Sequence, residues 1–284
     1  MVTIPASPEI NSSSSMIVVD CPTCGSDQFE DIDYIKEKSS ESHLHVCKPC
    51  GMIFYNPQPN MADLVNYYKN EYRSYPNANH VITANRKLEY HKNFLEPRLP
   101  KDKKLRTMDI GCATGYLANY MKSLGHDAYG IEHTKGFVEF ARKEYGLKVY
   151  QELDDAVADG GKFDFISLYH VLEHMQNPVD ELTKISNSMN EDGTLYIGVP
   201  YFEMFTDSAN GFGIQVVDQI LPPQHLNYFS KGSLKNLLAK AGFRIVDRNW
   251  WYYGYMVLCK KVDREQYKWF QAEDSEKVKD EFLK

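Results

Sequence analysis

Short apolar runs alternate with stretches of helical periodicity from Leu105 onward. The runs LRTMDIG, DAYGIE, KVY, FDFISLY and TLYIGVP predict strands, and the stretches between them carry apolar residues at three- and four-residue spacing. Strands that alternate with helices form a parallel sheet covered on both faces. FRIVDR and YMVLCKK follow each other without a helix and predict an antiparallel pair. The pattern predicts an α/β, Rossmann-like doubly wound domain over residues 101–262.

Capping signals mark the predicted helices. Thr134 stands where a helix begins and Gly146 where it ends. Asn177-Pro178 is a typical start for the helix VDELTKISNSM, and Ser230 opens a helix with leucines on one face.

The segments outside this domain differ in composition. The serine run within residues 1–19 predicts a disordered tail. Residues 61–100 predict a polar helical linker, in which several tyrosines could cover a substrate as a lid or simply pack. Residues 263–284 are charged with a few aromatics and predict a C-terminal helix.

Two cysteine pairs stand between the tail and the linker. CPTCG carries Cys21 and Cys24, and CKPCG carries Cys47 and Cys50. Four thiolates in this arrangement suit a tetrahedral structural zinc and leave it no open position for catalysis. We expect a small zinc ribbon over residues 20–60, whose folding free energy comes largely from the metal.

Composition narrows the partners and the compartment. The net charge of −7 argues against a nucleic-acid partner, which selects a basic face. The N-terminal stretch lacks the charged and apolar regions of a signal peptide, and no run is long enough to span a membrane. We therefore expect a cytoplasmic protein without membrane association, and in that reducing compartment paired cysteines indicate metal binding.

The loop DIGCATG, Asp109 to Gly115, follows the first strand of the domain. In such a sheet the ligand lies at the carboxyl ends of the strands. The dinucleotide fingerprint G-x-G-x-x-G is absent because Ala113 occupies the middle glycine position, which disfavours an NAD-dependent oxidoreductase. Glu132 ends the second strand, where a carboxylate can accept both hydroxyls of a ribose.

Together, D-x-G-C-x-x-G, the acid at 132 and FDFISLYHVLEH resemble class I S-adenosylmethionine (SAM)-dependent methyltransferases over residues 105–261. The resemblance implies a seven-stranded sheet with an antiparallel last strand. It also implies a set of cofactor-binding residues: Asp109, Gly111, Cys112, Ala113, Gly115, Glu132, Gln151, Glu152, Leu153 and Tyr169.

The string LYHVLEHMQNP raises a competing possibility, because His170, Glu173 and His174 match the H-x-x-E-H pattern of a zinc hydrolase. Such a site needs both histidines on one face of a long helix, whereas this string follows a strand directly. We expect Tyr169 and His170 to line the methyl-transfer site and Glu173 and His174 to cap the next helix. A similar E-x-x-E-H string holds a divalent ion in some quinone-pathway methyltransferases, but here His170 occupies the first position, which argues against metal assistance.

The loop PPQHLNYFS places His225 over the same pocket. This loop and the ribbon are similar to sugar methyltransferases that act on nucleotide-linked deoxysugars, in which the matching histidine is a base. Gln224 and Pro222 replace the acid and tyrosine of the C-methylating members. The sequence therefore predicts O-methylation of a sugar, nucleotide-linked sugar or glycan precursor, with His225 as general base.

Other functions stay open at this point. Some ribosomal-RNA methyltransferases also carry an N-terminal zinc module, although the acidic balance argues against RNA. A non-catalytic scaffold would not need the DIGCATG loop or Glu132. The sequence does not identify the acceptor or the oligomeric state.

Overall fold

In its computed structural model the chain forms a larger sheet, a smaller sheet and one further strand pair. The structure describes residues 16–32, 43–70, 75–200, 225–251 and 254–263, with 275, 277 and 278. The strands are β1 (Met16–Ile17), β2 (Phe29–Asp31), β3 (His43–Cys47), β4 (Ile53–Asn56), β5 (Gln58–Pro59), β6 (Arg106–Ile110), β7 (Asp127–Ile131), β8 (Lys148–Tyr150), β9 (Phe163–Tyr169), β10 (Met189–Val199), β11 (Asn227–Tyr228), β12 (Phe243–Trp251) and β13 (Gly254–Lys261). The helices are α1 (Met61–Asn70), α2 (Ala78–Leu95), α3 (Tyr116–Ser123), α4 (Lys135–Tyr145), α5 (Leu153–Ala158), α6 (Pro178–Asn187) and α7, at Lys231–Lys240.

The larger sheet has the order β12-β13-β10-β9-β6-β7-β8. The strands β10, β9, β6, β7 and β8 run parallel, and β13 is antiparallel to both β10 and β12. This confirms the predicted seven-stranded sheet and its antiparallel final strand. The chain winds to one side after β6 and to the other side from β9 onward, so a switch point lies between these two strands.

The central strands are buried on both faces. Ile166, Leu168, Leu195 and Ile197 have no measurable exposure, and each such side chain stabilises the fold by roughly 1.5–3 kcal/mol relative to leaving it in water. Their near-continuous apolar sequence is the pattern expected when helices cover both sides of a parallel sheet. The loops at the carboxyl ends of these strands are therefore held by a rigid sheet.

The helix ends follow the predicted signals in part. Ser230 and Ser233 form a reciprocal cap, with both hydrogen bonds at 2.9 Å. Gly146 ends α4 in the left-handed region at φ 59°. Thr134 and Asn177 occupy the predicted first positions, but neither side chain makes a capping hydrogen bond. The short helix α5 has no counterpart in the sequence prediction.

The smaller sheet contains β11, β4, β3 and β2 in that order, so one strand from beyond residue 225 completes the N-terminal ribbon. The predicted tail extends too far, because Met16 and Ile17 pair antiparallel with β5. Residues 275, 277 and 278 are helical, and Val278 packs on the ribbon core with Leu44 and Ile53. The rest of the predicted C-terminal helix beyond residue 263 lies outside the described residues. Within the described ranges, no helix combines the length and the apolar character that crossing a bilayer requires.

Candidate active site

The loop between β6 and α3 is a tight turn built by residues with positive φ. Gly111 lies at φ 68° and Gly115 at φ 80°, a region that favours glycine. A Cβ added to Gly111 would lie 2.5 Å from a methyl group of Val171, so the turn is packed against the chain that follows β9. Ala113 also adopts positive φ, at 47°, which the sequence did not predict. The loop leaves a cradle of backbone at the sheet edge.

Glu132, directly after β7, closes one side of this cradle. Its carboxylate accepts the Ala113 N–H at 3.0 Å and the Thr134 N–H at 2.8 Å, one on each oxygen. Each oxygen keeps a second acceptor site. The group is therefore held in a fixed orientation and can still accept two neighbouring hydroxyls, which fits the ribose of a nucleoside.

Asp109, near the end of β6, lies beneath the loop and is 6% exposed. Burial raises the pKa of this carboxyl to about 7, with a contribution from the nearby Glu132 charge, although the hydroxyl of Ser167 donates to it at 2.7 Å and opposes the shift. Its charge is therefore sensitive to pH near neutrality.

The remaining cofactor-binding residues predicted from the sequence lie around the same edge. The Cys112 thiol is buried, and a Cβ on Gly130 would approach it to 2.6 Å, so only the backbone of Cys112 borders the loop. Burial raises the pKa of that thiol well above its usual range. Gln151 and Glu152 are exposed and Leu153 is half-buried at the carboxyl end of β8. They lie beside Glu132, whose N–H donates to Tyr150 at 3.1 Å.

Tyr169 ends β9 and is covered by α2. The ring of His91 meets the Tyr169 ring edge-on at 4.3 Å, and the Lys87 ammonium lies 5.4 Å from the Tyr169 ring centre. His91 is fully buried, with Nδ1 at 2.8 Å from the Tyr196 hydroxyl and Nε2 at 3.1 Å from that of Tyr116. Burial lowers the pKa of His91 to about 3, so the ring is neutral. The predicted linker thus forms part of the site.

Three imidazoles surround a buried carboxylate beyond β9. Glu173 is 1% exposed, and its Oε1 lies 3.3 Å from His170 Nδ1 and 4.0 Å from Nε2 of both His174 and His225. Burial by itself would raise the pKa of Glu173, but the three histidines outweigh it and hold this pKa at about 2. We name Glu173, His170, His174 and His225 the imidazole cluster. In this cluster an ionised carboxylate lies among side chains that can bind a proton.

The prediction that Glu173 and His174 cap the following helix is wrong for Glu173, because its carboxylate faces His170, His174 and His225. The string is not on a long helix: His170 ends the strand region at φ 55°, and Leu172–His174 is a single 3-10 turn. Ligand atoms of Glu173, His174 and His225 lie within 4.8 Å of one another, a spacing that one cation can bridge.

A family model for the methyltransferase domain matches residues 81–248, more than half of the chain. The chain belongs to the methyltransferase domain family. The matched range begins within α2 and includes the glycine turn, Glu132 and the imidazole cluster.

Curated relatives and solved structures are also similar to parts of the chain. A ubiquinone biosynthesis O-methyltransferase from Ruegeria sp. (strain TM1040) is 29% identical over 51% of this chain, which spans 62% of that protein's length. One from Dinoroseobacter shibae is 27% identical over 59% of this chain and 70% of its own. Magnesium protoporphyrin IX methyltransferase from Synechocystis PCC 6803 is 16% identical over 72% of this chain and 89% of its own, with a TM-score of 0.47.

Ahead of the methyltransferase domain, the four predicted zinc ligands converge. The Sγ atoms of Cys21 and Cys50 are 3.5 Å apart, as are those of Cys24 and Cys47, and all four lie within 4.8 Å of one another. Hydrogen bonds from Cys47 and Cys50 hold the pKa of Cys21 well below its usual range. Four convergent sulfur donors are the set that tetrahedral zinc prefers.

Sequence reasoning missed three contributors to the site. Lys87 and His91 lie in a polar helix whose pattern gives no sign that one face packs on Tyr169. Glu173 was assigned a local role because its partners His170 and His225 come from separate segments. The H-x-x-E-H string indicated a cluster of histidines around Glu173. It could be interpreted only once the position of His225, which comes from another segment, was known.

Proposed function

We propose that this protein is a SAM-dependent O-methyltransferase that acts on a hydroxyl group of a small polar acceptor. The observation that carries the proposal is the placement of two different sites at one sheet edge. The glycine turn with Glu132 suits a nucleoside, and the imidazole cluster suits removal of a proton. An in-line methyl transfer needs both, held in fixed positions.

The residues that would hold SAM surround the switch point between β6 and β9. The turn from Gly111 to Gly115 would border the methionine part, Asp109 would face its ammonium group, and Glu132 would accept the ribose hydroxyls. Gln151, Glu152 and Leu153 would border the adenine, and Tyr169 would face the sulfonium side. When bound, SAM supplies an electrophilic methyl group on a positively charged sulfur.

His225 would take the proton of the acceptor hydroxyl as the new oxygen–carbon bond forms. Glu173 supports this role, because it is buried and ionised at neutral pH and would stabilise the imidazolium. A carboxylate of this kind orients and stabilises a protonated histidine without taking the proton itself. His170 lies closer to Glu173 than His225 does, but burial lowers the pKa of His170, so the proton would stay on His225. Tyr169 would border the acceptor.

Two acceptor classes fit a hydroxyl substrate. The similarity of the His225 loop to sugar methyltransferases favours a sugar, a nucleotide-linked sugar or a glycan precursor. The curated relatives are named as O-methyltransferases of ubiquinone biosynthesis. Because a quinone forms by oxidation of a phenol, this similarity favours a phenolic hydroxyl. An alkyl hydroxyl is a far weaker acid than a phenol, whose pKa is roughly 10, so a sugar acceptor would depend more strongly on His225.

The four cysteines would bind a structural zinc ion. Their sulfur atoms are mutually close, and glycine follows each pair at positive φ, Gly25 at 76° and Gly51 at 66°. The Gly25 and Gly51 N–H groups each donate at 2.8 Å to the carbonyl of the first cysteine of the pair. Zinc would join the two turns and leave no coordination position for a substrate.

Transfer of a labelled methyl group tests the function directly. The protein is incubated with labelled SAM and separate panels of sugar nucleotides, glycans, catechols and RNA transcripts, and the product is identified by mass spectrometry. We expect label on a hydroxyl oxygen of one small-molecule panel. Label on RNA alone, or SAM binding without transfer to any panel, would overturn the proposal.

Two variants separate the cofactor site from the proton acceptor. Glu132→Ala is expected to weaken SAM binding strongly in calorimetry. His225→Ala is expected to keep SAM affinity and to lower kcat by roughly 10²–10⁴-fold, the usual contribution of a general base. An equal loss of SAM affinity in both variants contradicts the assignment. A rate of the parent protein that rises with added Mg²⁺ would show that the imidazole cluster holds a cation.

A further inference from the structure

The loop that carries His225 belongs structurally to the ribbon. Two residues after His225 the chain enters β11, which pairs antiparallel with β4, Asn227 opposite Phe54 and Tyr228 opposite Ile53. The Tyr55 N–H also donates to the Leu226 carbonyl at 3.0 Å. The strand that fixes the proposed base is therefore an edge strand of the N-terminal sheet and not part of the seven-stranded sheet.

The second cysteine pair determines where β4 lies. Cys47 ends β3, Cys50 lies in the turn that follows, and β4 begins at Ile53. The Cys47 N–H donates to the Met52 carbonyl at 2.8 Å, which closes the hairpin immediately beside the sulfur atoms. Any displacement of this turn moves β4, and β11 is bonded to β4.

Two hydrogen bonds connect the same region to the turn that carries Glu173. The Asn227 side-chain amide donates to the Met175 carbonyl at 2.6 Å, and the Gln176 side-chain amide donates to the Pro59 carbonyl at 3.2 Å. One bond runs from β11 and the other ends on the chain just after β4. The ribbon is thus bonded both to the segment that carries the proposed base, His225, and to the turn that carries its carboxylate partner, Glu173.

Packing makes the connection stiff. Leu226, Asn227, Tyr228 and Phe229 are all 3% exposed or less, and the Tyr228 ring meets that of Tyr55 edge-on at 5.9 Å. Closely packed protein interiors transmit displacements because their side chains have little free volume to absorb them. By contrast, the glycine turn and Glu132 make their described hydrogen bonds within the methyltransferase domain.

We infer that the ribbon is a positioning element of the transfer site, which holds His225 against Glu173, so that metal occupancy of the four cysteines controls turnover and not SAM affinity. The inference rests on the proposed base and on zinc as the metal. It assigns the N-terminal module a role in the chemistry of the domain behind it, although the metal itself touches no substrate.

Hydrogen–deuterium exchange on the full-length protein tests the coupling without using turnover. Zinc content is measured before and after treatment with a thiol-competing chelator. On zinc removal we expect exchange within residues 225–230 to accelerate by about tenfold or more, because the free energy of local opening falls. Exchange within 109–115 and 131–134 should be unchanged, and the SAM Kd should change by less than about threefold.

Asn227→Ala tests the same coupling with the cysteines intact. It removes the bond to Met175, and we expect a fall in kcat of about tenfold, with zinc content and SAM affinity unchanged. Ser188→Ala is the matched control, because it removes one partly buried hydrogen bond, to the Lys184 carbonyl, just before β10 and away from the site. It should leave kcat unchanged.

Each outcome has a distinct meaning. Unchanged exchange within 225–230 in protein shown to be zinc-free overturns the inference. Loss of exchange protection along the whole chain, together with loss of SAM affinity, also overturns it. Full kcat in Asn227→Ala overturns it as well. If His225→Ala keeps its rate, the proposed base is wrong, while the exchange experiment still decides whether the ribbon holds this loop.

Discussion

Replacing Asp109 with asparagine should stabilise the free protein and weaken its binding of SAM. Asp109 is buried at the bottom of the glycine turn, and burial raises its pKa from 3.8 to about 7. An ionised carboxylate at this position is costly in the absence of a cation. Asparagine has nearly the same shape and can still accept the Ser167 hydroxyl that lies 2.7 Å from Asp109.

The magnitude follows from the difference between the two pKa values. Because the folded pKa of Asp109 is raised, the folded protein keeps a proton that the unfolded chain releases between about pH 4 and pH 7, so stability is lost as the pH rises through this window. A shift of roughly 3 units at about 1.36 kcal/mol each amounts to ~4 kcal/mol. The asparagine variant does not carry this cost.

The assay is urea denaturation of both proteins without SAM at a series of pH values. The free energy of unfolding of Asp109→Asn minus that of the parent protein should increase by ~4 kcal/mol from pH 4 to pH 8, with the steepest change below pH 7. Subtraction removes every other titrating group. A difference that is independent of pH, or that decreases with pH, would refute the reasoning about burial. In calorimetry at pH 8 the variant should bind SAM more weakly, because it lacks the charge that is proposed to face the ammonium group.

Two further predictions concern packing around the site. Gly115→Ala should lower the free energy of unfolding by about 2–4 kcal/mol in urea denaturation, because it combines a strained left-handed backbone with a clash of its Cβ at 2.7 Å from Leu147. Gly125→Ala is the control for the backbone strain alone, because Gly125 lies at φ 88° and nothing lies within 4 Å of its added Cβ. This control should cost about 1–2 kcal/mol in the same assay. His91→Phe should lower the melting temperature and destabilise by about 2–4 kcal/mol, since the buried hydroxyl groups of Tyr116 and Tyr196 lose the imidazole and Tyr196 keeps only the Met256 sulfur as partner. An unchanged melting temperature would show that α2 does not depend on this network.

The parallel sheet was predictable because its signals are local. The apolar runs of β6, β9 and β10 and the glycine after α4 each act within a few residues, and the structure follows them. The glycine turn and Glu132 were also readable, since a strand end and a spacing determine where they meet. The imidazole cluster was not, because it joins the end of β9 to a loop that is fixed by a different sheet. No periodicity in the sequence shows that β11 would pair with β4.

The arrangement of charge at the sheet edge supports the proposed proton acceptor, which would be built around a carboxylate. Asp109, Glu132 and Glu173 lie at loops that follow, or end, neighbouring strands of one sheet. With SAM bound, methyl transfer would remove the positive charge from sulfur and release a proton from the acceptor hydroxyl. If that proton stays on the imidazole cluster, one positive charge has moved within the site and none has left it. The field of the carboxylates would then stabilise the charge before and after transfer. Glu173, held ionised by its histidine neighbours, would face the protonated imidazole, so the charge would not be an uncompensated buried ion.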